Sequence, residues 1–393
     1  MQQAVRQSLV SAIHQQGRPL VVSVTGGGAR AVSDLLSVPG ASATVLEARV
    51  PYAAPALAEW LGGEPPQYCS DRTARAMAVA GWMRARELAP EADPSQILGV
   101  AATAALATTR PKRGDHRVHV AVHTLPQTAS LSLTLDKGAR TRDQEENLAA
   151  GLLLTAITEA VGLDPAQARA SLAGSLRPGE LVESDAHRPP AEWIEVVLGQ
   201  RGYVLAGPAN AQPPETQPPR LVVPGSFNPP HAGHLKIAAV AEQISGQPTA
   251  WELAVTNVDK PPLDYIEIRN RVAALQEASP GRAAALTASP TFRGKAQLFP
   301  GAVFCVGVDT ILRVADLRYY GNSQEAFSGA IEEFAATGCR FLVFGRLVEG
   351  RFVTLDSASL PASLRVLCDG VPAAEFREDV SSTALRNADS GSD

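Results

Sequence analysis

The chain has 393 residues, of which 45% are hydrophobic and 19% charged, and its formal net charge is −5. That length exceeds one typical domain and suits roughly two or three, while the acidic balance excludes the broad basic footprint of a nucleic-acid-binding protein. No apolar run approaches the ~18 residues of a membrane span. The cysteines Cys69, Cys305, Cys339 and Cys368 are scattered, with no Cys-x-x-Cys pair, and read as buried reduced thiols rather than disulfides or zinc ligands.

Residues 1–16 carry helical periodicity through Val5, Leu9 and Ile13. They lack the basic-then-apolar layout of a signal peptide, so the cytoplasm is the expected location. Pro19 to Thr25 reads as a buried strand, Gly26-Gly27-Gly28 ends it, and Ala29 to Leu36 resumes helical spacing. Glycines in such a turn let a phosphate or a carbonyl oxygen meet backbone N–H groups, although most Gly-rich turns of this kind are only tight turns. Ala43–Val50 is strand-like and Ala53–Leu61 helical. A longer helix runs to Leu88, with Ser70 or Asp71 as its N-cap. Ile97–Ala101 and Arg117–His123 are strands; in the second, Arg117, His119 and His123 share one polar sheet face. Leu131–Leu135 is an alternating strand, followed by a helix from about Arg142 to Val161.

Leu176 to Val204 is less regular, with Trp193–Leu198 and Tyr203–Leu205 as two short strands or a small connector. The proline-dense stretch Gly207–Pro219 has no apolar periodicity and reads as an extended, semi-rigid linker. The expected organisation is a first domain over 1–170, a connector and Pro-rich linker over 171–220, and a second domain over 221–393.

The second half opens with the apolar run Leu221-Val222-Val223, which breaks at Gly225-Ser226-Phe227-Asn228-Pro229-Pro230 and continues as a helix over Leu235–Ala241. Strand, tight loop, helix is the layout that places a phosphate at a helix N-terminus. His231 and His234 are three apart, so they share a face; Gly233 between them lets a ligand approach the backbone. Thr249–Val255 is a strand leading to a Pro-broken loop that holds Lys260, at the sheet edge where open α/β sheets bind ligands. A helix over 266–276, a short strand over 283–287, a short helix over 292–299 and a buried strand over 302–307 follow. Val308-Asp309-Thr310 turns into a helix over 311–317, and Arg340–Arg346 is strand and turn. This alternation predicts an α/β fold with a doubly wound parallel, Rossmann-like sheet. Near the C-terminus, Ser381-Ser382-Thr383 is a helix-cap cluster, and Arg386, one turn beyond Thr383, carries a fork suited to phosphate.

The string Gly225-Ser226-Phe227-Asn228-Pro229-Pro230-His231-x-Gly233-His234 resembles the signature of the nicotinamide/nicotinate mononucleotide adenylyltransferase branch of the nucleotidyltransferase superfamily. Gly307-x-Asp309 and Val380-Ser381-Ser382-Thr383-x-x-Arg386 are similar to two further motifs of that branch. The resemblance implies that His231 holds the nucleotide phosphates and His234 stabilises charge on the α-phosphate. It assigns Gly225, Ser226, Ser381, Ser382, Thr383 and Arg386 to the ATP phosphates, and Phe227, Asn228, Lys260, Gly307 and Asp309 to nucleotide and acceptor. Tyr319 or Tyr320 stands where the family commonly has a pyridine-stacking tryptophan. The ligand set implied is small-molecule nucleotides, with Mg2+ accompanying ATP, and no resident metal site.

Residues 1–165 resemble the C-terminal domain of the CinA family, nicotinamide mononucleotide amidohydrolases. The resemblance runs through Ser23-Val24-Thr25-Gly26-Gly27, the Pro51-Tyr52 segment, the Ser70–Leu88 helix and Gly99-Val100-Ala101. It places Ser23 on the family's nucleophile and Tyr52 on its active-site tyrosine. The sequence departs from the pattern in three places: the family's lysine five residues after the tyrosine is Leu57, the residue before the serine is Val22, and the phosphate cradle is Ala102-Thr103-Ala104-Ala105. A serine without a neighbouring base is a poor nucleophile, so Ser23, Thr25, Gly26, Gly27 and Tyr52 are expected to form a degenerate amidase site in a domain that binds or assembles a homo-oligomer.

Together these readings predict transfer of AMP from ATP to nicotinate or nicotinamide mononucleotide, with release of pyrophosphate, in NAD biosynthesis or salvage. The alternatives are transfer to another phosphorylated acceptor, a bifunctional deamidase and adenylyltransferase, and a non-catalytic nucleotide sensor.

Overall fold

The computed structural model describes residues 1–109, 113–206, 218–256, 262–348 and 351–377. It divides into two units, Met1–Pro190 with Asp259–Ile268, and Ala191–Val258 with Arg269–Asp393.

The first unit contains α1 (Gln3–Gln15), β1 (Leu20–Thr25), α2 (Ala29–Ser37), β2 (Val45–Arg49), α3 (Ala54–Leu61) and α4 (Asp71–Leu88). After these come β3 (Leu98–Ala105), β4 (His116–Thr124), β5 (Gln127–Leu135), α5 (Arg142–Ala160), α6 (Ala166–Ala173) and β6 (Val182–His187). The described strands form one sheet in the order β2-β1-β3-β4-β5-β6. β1 lies parallel to β2 and β3, and β3 through β6 run antiparallel. Every residue of β1 is buried, as a strand covered on both faces requires. Ser70 caps α4 by accepting from the Thr73 N–H. Thr141 and Gln144 form a reciprocal capping box at the start of α5, whose Leu148, Leu152, Leu153 and Ile157 enter the core beside Val22, Val100 and Val120.

The second unit holds α7 (Ala191–Val197), β7 (Tyr203–Ala206), β8 (Leu221–Pro224), α8 (Ala232–Ser245) and β9 (Thr249–Ala254). The helix α9 (Tyr265–Ala278) follows, belonging to this unit from Arg269 onward, then β10 (Ala284–Thr287), α10 (Phe292–Leu298), β11 (Val303–Gly307), α11 (Val308–Val314), α12 (Gln324–Ala336) and β12 (Arg340–Phe344). The chain continues with β13 (Arg346–Val348), β14 (Arg351–Val353), α13 (Ala362–Arg365) and β15 (Cys368–Gly370). The main sheet has the order β15-β12-β11-β8-β9-β10-β7. Every neighbouring pair is parallel except β10 with β7. From β8 the chain winds outward through β9 and β10, then crosses to the other side through β11, β12 and β15. The direction therefore reverses between β8 and β11, as in a doubly wound sheet.

Several expected boundaries move. Trp193–Leu198 is largely helical in α7, not a strand. The stretch expected to be a connector supplies β6 to the first sheet and β7 to the second; its Pro-rich part, residues 207–217, lies outside the described residues. α8 begins at Ala232 and α11 at Val308, each three residues earlier than the apolar spacing alone suggests. Polar residues occupy first helical turns comfortably because capping and the dipole act there rather than core burial. Cys305, Cys339 and Cys368 are buried, whereas Cys69 is only partly so. Among the described residues no helix is long and apolar enough to cross a membrane.

Candidate functional site

In an open α/β sheet, ligands sit outside the carboxyl ends of the strands where the winding reverses, because the two flanking loops diverge there and leave a crevice. Here that place lies between the ends of β8 and β11, which are paired neighbours. The loop after β8 is the Gly225–Pro230 turn; the one after β11 leads through Gly307 into α11.

Gly225 continues the sheet ladder by donating its N–H to the Glu252 carbonyl at 3.0 Å. A Cβ on Gly225 would lie 2.8 Å from the Phe227 ring, so only glycine lets that ring fold back beneath the loop. Phe227 takes left-handed backbone angles, φ 46°, and is 1% exposed. Its ring meets Trp251 of β9 edge-on at 5.2 Å and His234 at 5.0 Å. The Asn228–Pro229 peptide is cis. His231 is the N-cap residue of α8 in extended geometry. Its backbone N–H donates to Nδ1 of His234 at 3.2 Å, and the two imidazoles lie 3.8 Å apart between centroids, tilted by 32°. His231 is buried and His234 half-buried. Below the loop, the buried Arg271 donates from Nη1 to the Ser226 carbonyl at 2.8 Å.

Across the crevice, Gly307 is the N-cap of α11. A Cβ there would stand 2.3 Å from Asp309 Oδ1 and 3.2 Å from Arg346 Cδ. Glycine thus lets both side chains fold over the end of β11, where Arg346 Nε and Asp309 Oδ1 stand 3.9 Å apart. The Asp309 side chain is 49% exposed, so solvent screens this pair.

Gly225, Ser226, Phe227, Asn228, His231 and His234 are thereby gathered on one loop and helix start, with Gly307 and Asp309 at the end of the adjoining strand. Phe227 corrects an expectation: its ring is packed inward rather than turned to a nucleotide. Tyr320 is likewise committed to the fold, its hydroxyl donating to the Val314 carbonyl at 3.0 Å and its ring edge-on to Phe327 at 5.3 Å. Tyr319 lies against the guanidinium groups of Arg313 and Arg318. Lys260, Ser381, Ser382, Thr383 and Arg386 lie outside the described residues.

The first unit arranges its candidates differently. Ser23 is fully buried in β1, and among the described residues its Oγ has no hydrogen-bond partner, a base included. Tyr52 is 68% exposed, while Leu57 is buried in a cluster with Leu61, Met77 and Ala101. Thr25 ends the strand. At Gly26, φ +73°, a Cβ would collide with the Ala104 carbonyl, and at Gly27 with the Leu106 side chain. The N–H groups beyond this turn are occupied: Gly28 and Arg30 each donate to the Glu146 carboxylate at 3.0 Å. Arg142 donates to the Gly26 carbonyl at 2.7 Å. The glycine turn is therefore filled by the protein's own carboxylate, where a ligand phosphate or carbonyl was one expectation. Ala102, Thr103 and Ala104 are buried strand residues, with Thr103 Oγ1 donating to the Tyr68 carbonyl at 2.9 Å. On β4, His119 bonds Ser132 Oγ and His123 bonds Thr128 Oγ1, each at 2.8 Å. His123 is not on an open polar face but is buried edge-on to Trp82, and burial pushes it down to about 3.

Residues 222–388 match the cytidylyltransferase-like family model. The second unit carries a nucleotidyltransferase-superfamily enzyme domain. The match takes in the His231–His234 loop, Gly307–Asp309 and the positions 381–386. No curated protein matches the chain. Three solved structures similar to it over its N-terminal part are a competence-damaged protein (CinA) superfamily protein from Escherichia coli and two competence/damage-inducible proteins. The first is 18% identical with a TM-score of 0.33, covering 40% of this chain and 92% of its own. The second, from Agrobacterium tumefaciens, is 19% identical with a TM-score of 0.31, covering 43% and 96%. The third, from Enterobacter asburiae, is 15% identical with a TM-score of 0.30, covering 43% and 98%.

Three residues of the nucleotidyltransferase domain had no role in the sequence reading. Arg271 looks like any helix arginine until its contact with the Ser226 carbonyl is seen. Arg346 follows β12 and reaches Asp309 only through strand pairing. Trp251 sits in a plain apolar strand and backs Phe227. For none of them does local spacing carry a signal.

Proposed function

We propose that the nucleotidyltransferase domain transfers AMP from ATP to the phosphate of nicotinate or nicotinamide mononucleotide. An oxygen of the acceptor phosphate attacks the α-phosphorus, the bond from that phosphorus to the bridging oxygen breaks, and pyrophosphate leaves with that oxygen. The acceptor is already anionic at neutral pH, so the reaction needs no strong base; placement and charge neutralisation supply the rate. The observation that carries this reading is the His231–His234 pair at the N-terminus of α8, at the reversal between β8 and β11. The dipole and the backbone N–H groups of a helix start are features that favour phosphate.

In this proposal His231 holds the nucleotide phosphates and His234 neutralises charge developing on the α-phosphate, while backbone at Gly225 and Ser226 lines the pocket. Gly307 and Asp309 border the nucleoside, Asn228 and Lys260 the acceptor, and Ser381, Ser382, Thr383 and Arg386 the β- and γ-phosphates. Among the described residues no group of His, Cys, Asp and Glu is placed to hold a metal ion. In this proposal magnesium accompanies the triphosphate as its counter-ion, carried by the substrate's own oxygens. The first unit, in which Ser23 lacks a base and Glu146 fills the glycine turn, is assigned to assembly of a homo-oligomer, and the protein to the cytoplasm.

A second reading is transfer to another phosphorylated acceptor. The commitment of the Tyr320 ring to Phe327 supports it, because that ring is then not offered to a pyridine. The deciding experiment measures pyrophosphate release with ATP or CTP against nicotinate mononucleotide, nicotinamide mononucleotide and a panel of other phosphorylated acceptors. ATP with a pyridine mononucleotide is expected to turn over, and His234→Ala to lower turnover ~100- to 1,000-fold while leaving the folded state intact. Nucleotide binding by calorimetry without turnover on any acceptor would replace the enzyme with a sensor.

A further inference from the structure

We propose that His234 works as a neutral imidazole donating from Nε2–H, and that Phe227 is the positioning residue that holds it in this state; this rests on the phosphate-transfer reading above. A backbone N–H can only donate, so the bond from His231 N–H to His234 Nδ1 at 3.2 Å leaves Nδ1 as the acceptor. A neutral ring that accepts at Nδ1 carries its proton on Nε2. A doubly protonated ring would set one N–H against another and lose that bond. The second imidazole of the motif is therefore presented to phosphate oxygens as a hydrogen-bond donor without a full positive charge.

The bond alone leaves the ring free to tilt. Phe227 meets it edge-on at 5.0 Å with the planes 65° apart, while the His231 ring lies 3.8 Å from it, tilted by 32°. Phe227 is itself pinned by Trp251, which is fully buried in β9, and by the absence of a side chain at Gly225. A continuous line of contacts thus runs from the sheet through Trp251 and Phe227 to His234. The buried aromatic of the motif serves to aim the imidazole.

Long-range 1H–15N spectra of protein with 15N-labelled histidine rings read the tautomer directly. His234, identified by the signal lost in His234→Gln, should show an unprotonated Nδ1 and a protonated Nε2 at neutral pH. A protonated Nδ1, alone or in an imidazolium, overturns the proposal whether or not the domain is active. Kinetics then separate the roles. His234→Gln sets an amide N–H near the Nε2 position and should retain at least about ten times the kcat of His234→Asn or His234→Ala, which lose ~100- to 1,000-fold. Equal losses in all three remove the donor role. Phe227→Leu, milder than Phe227→Ala, should lower kcat by ~10- to 100-fold with KM for ATP little changed. It should also mix the His234 tautomers. An unchanged kcat and tautomer in a folded Phe227→Leu protein would sink the positioning role. If the parent protein transfers no nucleotide to any acceptor, the functional reading falls, and the spectra still decide the tautomer.

Discussion

The carboxylate of Glu146, on α5, accepts the backbone N–H of Gly28 at 3.0 Å and so caps α2 from a distant part of the chain. Its second oxygen takes the N–H of Arg30, also at 3.0 Å. An acidic side chain at a helix N-terminus satisfies donors that would otherwise seek water or an anion. Removing it by Glu146→Ala should cost about 1–3 kcal/mol in urea unfolding of the first unit. With those donors already used and Ser23 lacking a base, ammonia release from nicotinamide mononucleotide should be at background and equal in parent and Ser23→Ala proteins. A Ser23-dependent release would restore the deamidase reading.

Two glycines at the crevice are held there by what a methyl group would strike. Gly225→Ala meets the Phe227 ring and Gly307→Ala meets Asp309. Each should reduce nucleotidyl transfer at least ~10-fold, since displacement of about 1 Å can cost ~100-fold. Gly329, half-buried in α12, has open space where a Cβ would stand. Gly329→Ala should leave turnover unchanged and raise stability by ~0.5–1 kcal/mol. Steady-state assays beside thermal melts distinguish the two classes.

On β9, the buried Glu252 accepts from Lys295 Nζ at 2.7 Å and from Thr287 Oγ1 at 2.6 Å. Lys295→Met alone strands a carboxylate in the interior and should cost about 3–5 kcal/mol. The pair Glu252→Gln with Lys295→Met should recover most of that loss. A double variant no more stable than the single one in guanidinium unfolding would show that the lysine's packing, rather than its charge, matters.

Acid stability should carry the mark of His123. Burial lowers its pKa from the ordinary 6.5 to about 3, so the folded protein keeps it neutral while the unfolded chain protonates it. Nothing is lost above pH ~6.5; as pH falls below that, the unfolded state binds the extra proton and stability declines until about pH 3. His119 acts in the same direction, lowered to about 4 first by burial and then by Arg117 and Arg75. His123→Gln should flatten the stability profile by up to about 1.4 kcal/mol per pH unit between pH 6 and pH 4. Parallel profiles for parent and variant, measured by urea unfolding at each pH, would contradict this.

Much of the site is legible from local pattern. A β-branched run, a Gly/Asn/Pro-Pro break and an apolar helix after His231 and His234 specify strand, loop and helix N-terminus within twenty-five residues, because backbone propensity and capping act over such distances. The alternation of strands and helices likewise announces a parallel sheet. Other features rest on partners far apart in the chain. That Glu146 fills the glycine turn at Gly28, that Trp251 backs Phe227, and that Val182–His187 closes the first sheet are all products of long-range pairing. So is the placement of β8 beside β11, which puts Gly307 and Asp309 at the histidine loop. The sequence by itself determined which residues could handle phosphate. The tertiary structure decided which of them face one crevice and which serve as packing, because strand order and burial depend on contacts that no local spacing encodes.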